Sequence, residues 1–385
     1  MGSAEDGGVR LPPLYVVRRR HVKAALEGLP EDADKETVWI HSSTLGVEAW
    51  CFQGMGRVSR ILVWGAEPHD VCAPLHVDAA VLGVFIAKLG AYEPALVDTI
   101  LGFVTHMCSI KAEVHRVGDD AFRGCSALEE VVLPRSITRI GECAFDSCVQ
   151  LTNLKFPRTS MLTHVGDFSF DGCTSLTSVA LPSSLICVGC YAFRDCTSLT
   201  LVTLPDSLTH VGEGTFCECT LLTLVTLPDS VTHIEASAFY GCTSLTAVVL
   251  PNSLTHLGAC AFDGCASLTS VALPSSLTRM GCYAFRGCAS LASATLPNSL
   301  TQIEASAFHG CTSLTAVVLP DSLTHVGEDA FCECTSLTAV VLPNSLTHIE
   351  ARAFCGCTAL ARVTMPAVQP IVGRYAFEGC PWSMP

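Results

Sequence analysis

The sequence predicts a β-rich repeat solenoid with a small mixed α/β region at its N-terminus. Twelve phenylalanines recur with a step of 23 residues, except for one step of 25: Phe122, Phe145, Phe170, Phe193, Phe216, Phe239, Phe262, Phe285, Phe308, Phe331, Phe354 and Phe377. A cysteine follows three residues after each of them, and a proline follows twelve residues after eleven of them. Self-similarity at such a period indicates stacked repeats, each a single supersecondary unit.

Each repeat contains two short strand signals separated by a proline turn. Residues 245–250 (LTAVVL) form the first and end at Pro251, which lacks an N–H group and therefore suits a turn. Asn252 fits an Asx turn. Residues 254–257 form the second strand, and Gly258 after them permits a tight bend. One unit cannot bury its own Leu, Val, Phe and Cys side chains, so we expect identical residues to form columns along a continuous core.

These motifs resemble a known family. The segment LTAVVLPNSLTHLGACAFDGC at 245–265 is similar to the BspA-like (Treponema pallidum-type) leucine-rich repeat, and the resemblance extends over residues 111–385. It implies a right-handed superhelix of about twelve repeats, with a parallel sheet on the concave face and short strands or turns on the other. It also implies protein or cell-surface recognition, because such repeats carry no known catalytic residues.

Residues 1–110 lack the regular period and are interpreted as a capping region. A degenerate repeat is predicted at 46–64, with Val58, Ile61 and Val63 in the apolar strand slots. Residues 78–107 show helical spacing and predict a helical pair, which could cover the open end of the solenoid. An adaptor helix around 95–104 is a weaker alternative. The predicted domains are therefore 1–110 and 111–385.

The composition narrows the class of function. With 49% hydrophobic residues the chain of 385 residues is not a disordered one, and its net charge of −14 argues against nucleic acid as the main partner. No apolar stretch reaches the roughly 18 residues of a membrane span, and residues 1–14 lack the apolar core of a secretory signal. The 23 cysteines are expected to be mostly buried, reduced thiols, which favours a cytoplasmic location, with the cell surface as the alternative.

The sequence predicts neither an enzyme nor a cofactor, and no catalytic or metal site. It has no G-x-S-x-G, phosphate-binding loop or dinucleotide fingerprint, and no carboxylate pair recurs beside a base. Cys187 and Cys190 form a lone C-x-x-C, which is too few ligands for structural zinc. Disulfides within the cysteine column are disfavoured because in-register side chains point the same way.

A histidine occupies the slot six residues before the phenylalanine in several repeats. The candidate histidine ladder consists of His210, His233, His256, His325 and His348. Stacked imidazoles could share a proton or a metal ion, and repulsion between the charged rings would lower their pKa. The simpler interpretation is a solvent-facing polar residue that was copied by duplication.

The outward slots of the first strand, eight and ten residues after each phenylalanine, form the candidate partner-binding strip on the concave face. In the middle of the array they are small and weakly apolar: Leu201, Thr203, Leu224, Thr226, Ala247, Val249, Ser270, Ala316, Val318, Ala339 and Val341. The strip lacks the Trp, Tyr and Arg residues of typical hot spots. Either the partner lays a long apolar surface on it, or binding uses the ends and loops, or the strip serves self-association.

These observations predict a non-enzymatic recognition or scaffold module that binds a protein partner of unknown identity. A cell-surface adhesin or carbohydrate-binding protein is the alternative. Between Asp195 and Glu350 there are thirteen acidic residues and two basic ones, Arg279 and Arg286. This imbalance favours a basic partner, or serves only to keep the array soluble.

Overall fold

The computed structural model describes strands at 9–10, 37–41 and 60–64 and the residues 116–382, apart from 121, 125, 127, 134 and 136. In these residues the chain is built of strands and turns, without a helix. The chain divides into two compact units, Met1–Leu176 and Thr177–Pro385. Each unit is a stack of coils with parallel strands, which confirms the predicted β-solenoid.

The first unit begins with a parallel sheet of three strands in the order β1-β2-β3: β1 Val9–Arg10, β2 Thr37–His41 and β3 Arg60–Trp64. Thr37 pairs with Arg60, an offset of 23 residues that equals the repeat period. Strand β3 lies inside the segment predicted as a degenerate repeat. The remainder of that segment and the predicted helical pair at 78–107 lie outside the described residues.

The described repeats of the first unit alternate between two-residue and three-residue strands. The bounds are β4 Arg116–Val117, β5 Glu130–Val132, β6 Arg139–Ile140, β7 Asn153–Lys155 and β8 His164–Val165. Strand β5 pairs in parallel with β7, and β6 pairs in parallel with both β4 and β8. Each coil thus contributes one strand to each of two sheets.

The second unit continues this alternation. Its three-residue strands are β9 Ser178–Ala180, β11 Leu201–Thr203, β13 Leu224–Thr226, β15 Ala247–Val249, β17 Ser270–Ala272, β19 Ser293–Thr295, β21 Ala316–Val318, β23 Ala339–Val341 and β25 Arg362–Thr364. Its two-residue strands are β10 Cys187–Val188, β12 His210–Val211, β14 His233–Ile234, β16 His256–Leu257, β18 Arg279–Met280, β20 Gln302–Ile303, β22 His325–Val326, β24 His348–Ile349 and β26 Ile371–Val372.

Strands of each kind stack on one another in parallel, one repeat per step. The three-residue strands form the sheets β9 to β15 and β17 to β25, and the two-residue strands form β12 to β18 and β20 to β26. Leu201 pairs with Leu224, and Thr226 pairs with Val249. We call the outward residues of the three-residue strands in the second unit the long-strand face, and those of the two-residue strands the short-strand face.

The phenylalanines form the predicted interior column. The Phe239 and Phe262 ring centroids lie 5.2 Å apart at an interplanar angle of 4°, and those of Phe262 and Phe285 lie 5.4 Å apart at 6°. All three rings are fully buried. Offset stacking at this separation is a favoured arrangement of aromatic rings. Phenylalanine therefore packs well against phenylalanine from one coil to the next.

The cysteine column is also internal, and the structure adds a reason for cysteine at this slot. The Cys242 thiol donates a hydrogen bond to the carbonyl of Phe216 at 3.2 Å, and the Cys265 thiol donates to Phe239 at 3.2 Å. Burial raises the pKa of the Cys219 and Cys242 thiols well above the usual value. The thiols therefore keep the proton with which they bond the preceding coil.

Gly258 differs from the expectation of a tight bend. Its φ is not in the left-handed region, but an added Cβ would collide with the backbone nitrogen of Ala236 in the preceding coil. The close approach of two stacked backbones therefore favours glycine at this position. The predicted turn at Pro251 is confirmed, because the Leu254 N–H donates to the Pro251 carbonyl at 3.1 Å.

Candidate functional site

The long-strand face exposes the outward residues of each strand and buries the central one. The exposed fractions are 63% for Val249, 68% for Val318 and 63% for Val341, with 50% for Leu201 and 44% for Leu224. These are unusually open positions for branched apolar side chains. The parallel register places these side chains in two columns, in which threonine, serine and alanine occupy the slots of other coils.

The structure brings the residues of the predicted strip together in two sheets. The strands β11, β13 and β15 carry Leu201, Thr203, Leu224, Thr226, Ala247 and Val249, and the strands β17, β21 and β23 carry Ser270, Ala316, Val318, Ala339 and Val341. All of them are exposed except Ala339, which is half-buried. Strand β19 adds the exposed residues Ser293 and Thr295.

Threonine hydroxyls border the long-strand face on the side where each strand begins. The Thr223 hydroxyl donates to the carbonyl of Thr200 at 3.3 Å, Thr246 donates to Thr223 at 3.1 Å, and Thr269 donates to Thr246 at 3.3 Å. Together with the backbone ladder, these bonds tie each coil to the one before it. The face is therefore held in place before any partner arrives.

Acidic side chains lie beyond the opposite end of the same strands. Asp206, Asp229 and Asp321 are exposed in the turns that follow Pro205, Pro228 and Pro320. Each stands three residues beyond its strand. An apolar face with carboxylates along one edge is complementary to an apolar surface with flanking Lys or Arg residues.

The histidines of the candidate ladder lie on the short-strand face and stack within two groups. The ring centroids are 4.5 Å apart for His210 and His233, 4.4 Å for His233 and His256, and 4.6 Å for His325 and His348. Because Arg279 and Gln302 occupy the intervening strands, the five residues do not form one continuous ladder.

A preceding threonine orients each ring. His256 Nδ1 lies 2.8 Å from the Thr255 hydroxyl, which itself donates to the carbonyl of Thr232 at 3.1 Å. We therefore assign the Nδ1–H as the donor and Nε2 as the unprotonated nitrogen of the neutral ring. The Thr232–His233 pair repeats this arrangement at 2.8 Å.

Desolvation, the neighbouring His233 ring and the Arg279 guanidinium lower the pKa of His256, partly offset by Glu235. The direction agrees with the one predicted from stacking, although burial is the largest cause. His256 also lines a shallow hollow of about 480 Å³ with Arg279, Glu235 and Glu304. Both signs of charge line this hollow, so it does not favour an ion of either sign.

A further cluster lies in the turns around Phe308 and Phe331. Potential ligand atoms of His309, Asp329 and Cys332 lie within 4.8 Å of one another. Cys332 is buried, while His309 and Asp329 are half-buried. Sequence analysis missed this cluster because His309 lies 20 and 23 residues before the other two, a spacing that matches no local metal motif.

The predicted C-x-x-C pair lies elsewhere. Cys187 is exposed on β10 in the slot that holds histidine in other coils, and Cys190 is half-buried. Among the described residues, neither belongs to a group of three ligand atoms within 4.8 Å of one another.

The repeated core residues and the parallel strand register are typical of one family of repeat proteins. The sequence profile described as the BspA type leucine rich repeat region matches residues 105–221, 152–269 and 255–383. These ranges together span more than half of the chain. The chain belongs to the BspA type leucine-rich repeat family.

Solved structures of bacterial leucine-rich repeat proteins are similar to this BspA type chain. One from Bacteroides ovatus is 29% identical, with a TM-score of 0.52 over 69% of this chain and 80% of that chain. One from Eubacterium ventriosum is 20% identical, with a TM-score of 0.49 over 70% and 82%. The T. pallidum leucine-rich repeat protein is 28% identical, with a TM-score of 0.36 over 55% and 84%. Among curated proteins, none matches the sequence.

Membership of the BspA type family bears on the class of function. Leucine-rich repeat folds are generally non-enzymatic, and such domains generally mediate protein interactions. Within the part of the chain that the structure describes, no helix is long and apolar enough to cross a bilayer.

Proposed function

We propose that this BspA type repeat protein is a non-enzymatic recognition module that binds another protein through the long-strand face. The observation that carries the proposal is the set of exposed apolar residues on β11, β13, β15, β21 and β23, of which Val249, Val318 and Val341 are more than 60% exposed. Exposed apolar side chains grouped on one face of a folded protein are typical of an interaction site.

The energetics favour a large and flat contact. Complete burial of one valine or leucine side chain contributes about 1.5–3 kcal/mol, so several half-exposed side chains together supply a substantial driving force. From β11 to β23 the face lacks tryptophan, tyrosine and arginine, hence the affinity would be spread over many coils instead of being concentrated in a hot spot. Backbone and threonine hydrogen bonds fix the face beforehand, which reduces the entropy lost on binding.

The charge around the face supports a particular kind of partner. Asp206, Asp229 and Asp321 are exposed along one edge. We infer a protein surface with an apolar centre and flanking Lys or Arg residues, and we expect its association rate to fall as the salt concentration rises.

The test is a charge substitution within the face. The triple variant Val249→Arg, Val318→Arg and Val341→Arg places three cations where the partner would bury apolar surface. A matched control is Val368→Arg, since Val368 is 75% exposed outside the strip. Wild type and both variants are used to capture proteins from an extract of cells that produce the chain, and each captured protein is then purified and titrated against all three.

A partner that binds wild type and Val368→Arg, but binds the triple variant at least tenfold more weakly, supports the proposal. All three chains should have the same thermal unfolding midpoint, because the substituted side chains are exposed. A partner that binds the triple variant as tightly as wild type contradicts the proposed face. Binding of the wild type to immobilised glycans, without a protein partner, would favour the adhesin alternative.

A further inference from the structure

The slot immediately after each phenylalanine forms an outer column in which neighbouring coils interact directly. Asp263 and Arg286 occupy it in successive coils and form an ion pair at 2.7 Å. In the first unit, Arg123 and Asp146 do the same at 2.9 Å. Side chains 23 residues apart in this column are therefore close enough to contact the same bound ion.

Three successive coils carry His309, Cys332 and Cys355 in this column. The Cys355 thiol lies in the next coil, close enough to the Cys332 thiol for the two to influence each other electrostatically. Asp329, from the turn before Cys332, adds a carboxylate, and one atom each of His309, Asp329 and Cys332 lies within 4.8 Å of the others. Nitrogen, sulfur and carboxylate donors thus converge from two neighbouring coils, and Cys355 follows in the next coil of the same column.

We propose that His309, Asp329, Cys332 and Cys355 bind one Zn²⁺ ion. Zinc prefers four ligands in a tetrahedron and takes thiolate, imidazole and carboxylate donors. The two thiolates favour zinc over magnesium, calcium or manganese, which prefer oxygen ligands. The thiols lose their protons to solvent as the two S–Zn bonds form.

The backbone holds the turns that carry the ligands in a fixed register. The Gly310 N–H donates to the Cys332 carbonyl at 2.8 Å, and the Glu333 N–H donates to the Cys355 carbonyl at 2.7 Å. Ligands around tetrahedral zinc lie roughly 3.3–3.8 Å apart, according to the usual Zn–N and Zn–S bond lengths. The His309, Asp329 and Cys332 donors would need to come about 1 Å closer by side-chain rotation, and the Cys355 thiol would need to turn toward them.

The environment of His309 suits a metal ligand. Its Nδ1 is buried and has no hydrogen-bond partner among the described residues. Its Nε2 lies 3.9 Å from a carboxylate oxygen of Glu333. A carboxylate beside one ring nitrogen stabilises the proton there and leaves the other nitrogen with a lone pair for the metal.

One cation, Arg352, and two further carboxylates, Glu328 and Glu333, lie around the cluster. Two thiolates and one carboxylate around Zn²⁺ leave a net charge of −1, and Arg352 lies beside the site, 2.9 Å from Asp329 and 3.0 Å from Glu328.

The test is titration of the full-length, metal-free chain with Co²⁺ and then Zn²⁺ under a non-thiol reductant. We expect one equivalent of Co²⁺ to produce a thiolate-to-cobalt charge-transfer band, and one equivalent of Zn²⁺ to abolish it. The double variant Cys332→Ser and Cys355→Ser should lose the band. His309→Gln and Asp329→Asn should retain thiolate ligation but bind at least about 10–100-fold more weakly, as loss of a zinc-site contact does.

Other cysteines make a matched control essential. The double variant Cys187→Ser and Cys217→Ser removes the same number of thiols, and Cys217 occupies the same outer column in an earlier coil. It should bind like wild type. The proposal is overturned if the wild type binds less than one equivalent, or if the band survives in Cys332→Ser and Cys355→Ser. Loss of the band in the Cys187 and Cys217 control alone would also overturn it. If the variant Cys332→Ser and Cys355→Ser fails to fold, the other two variants decide. Wild-type affinity for Co²⁺ in His309→Gln and Asp329→Asn would then contradict the site.

Discussion

Two columns that run side by side through the second unit follow opposite rules. The interior column repeats phenylalanine in every coil, and its rings stack at 5.2–5.7 Å from Phe193 onward along the described contacts. The outer column, one residue later in the chain, changes from an ion pair at Asp263 and Arg286 to a histidine and two cysteines at His309, Cys332 and Cys355. The repeat thus fixes the position of both columns. It fixes the residue type in the phenylalanine column but not in the outer column. Function in such an array should be sought in the outward columns.

The largest effect on stability is expected for a substitution in the interior phenylalanine column. Phe262→Ala should lower the free energy of unfolding by about 3–5 kcal/mol. The substitution leaves a cavity and removes the stacking contacts with Phe239 and Phe285. Denaturant unfolding monitored by circular dichroism measures the change. Tyr375→Ala, an aromatic truncation at a residue that is 63% exposed, should cost less than about 1 kcal/mol. Equal losses in both variants would mean that the phenylalanine column carries no special share of the stability.

A smaller effect is expected at the cysteine column. Cys265→Ala removes the thiol that donates to the Phe239 carbonyl and leaves a small cavity, which together should cost about 1–2 kcal/mol. The Cys242 N–H still donates to the same carbonyl at 3.3 Å, which limits the loss. Cys282→Ala, at a half-buried cysteine, should cost less than about 0.5 kcal/mol. A Cys265→Ala variant as stable as wild type would contradict a structural role for the thiol hydrogen bond.

The smallest effect concerns the outward histidines. The pKa of His256 is lowered in the folded chain, so the unfolded chain binds a proton at higher pH than the folded one. This contribution therefore favours the folded state above the unfolded pKa of about 6.5 and is lost as pH falls through the lower, folded value. His256→Gln, which copies the residue at Gln302, should reduce the fall in thermal unfolding midpoint between about pH 7 and pH 5. An unchanged or steeper pH dependence in this variant would contradict the assignment.

The fold was predictable because its determinants recur at a fixed period. One phenylalanine and one cysteine per 23 residues predict the stacking of Phe239 on Phe262 and the burial of both cysteines that follow them. The outward strand slots follow from the same register. The coil that contains β2 was missed, since its segment TVWIH carries neither marker, yet Thr37 pairs with Arg60 one period away.

The details that escaped sequence analysis depend on contacts between coils. The sequence suggests a bend at Gly258, whereas the cause is the backbone of the coil behind it. His309, Cys332 and Cys355 appear unrelated along the chain, because metal motifs are recognised by short spacing. Only stacking makes residues one period apart into neighbours. In a repeat protein, the informative spacing for a site is therefore the repeat length itself.

The hydrogen bond from each cysteine thiol to the phenylalanine carbonyl of the coil before it has a consequence for how such arrays grow. In the described coils of the second unit from Phe193 to Phe354, each coil presents the same acceptor to its successor. A unit of 23 residues inserted by tandem duplication would find both partners already in place, and it would add another row to the outward surface. The reach of a binding surface could then be adjusted by the number of copies alone, without redesigning any interior contact.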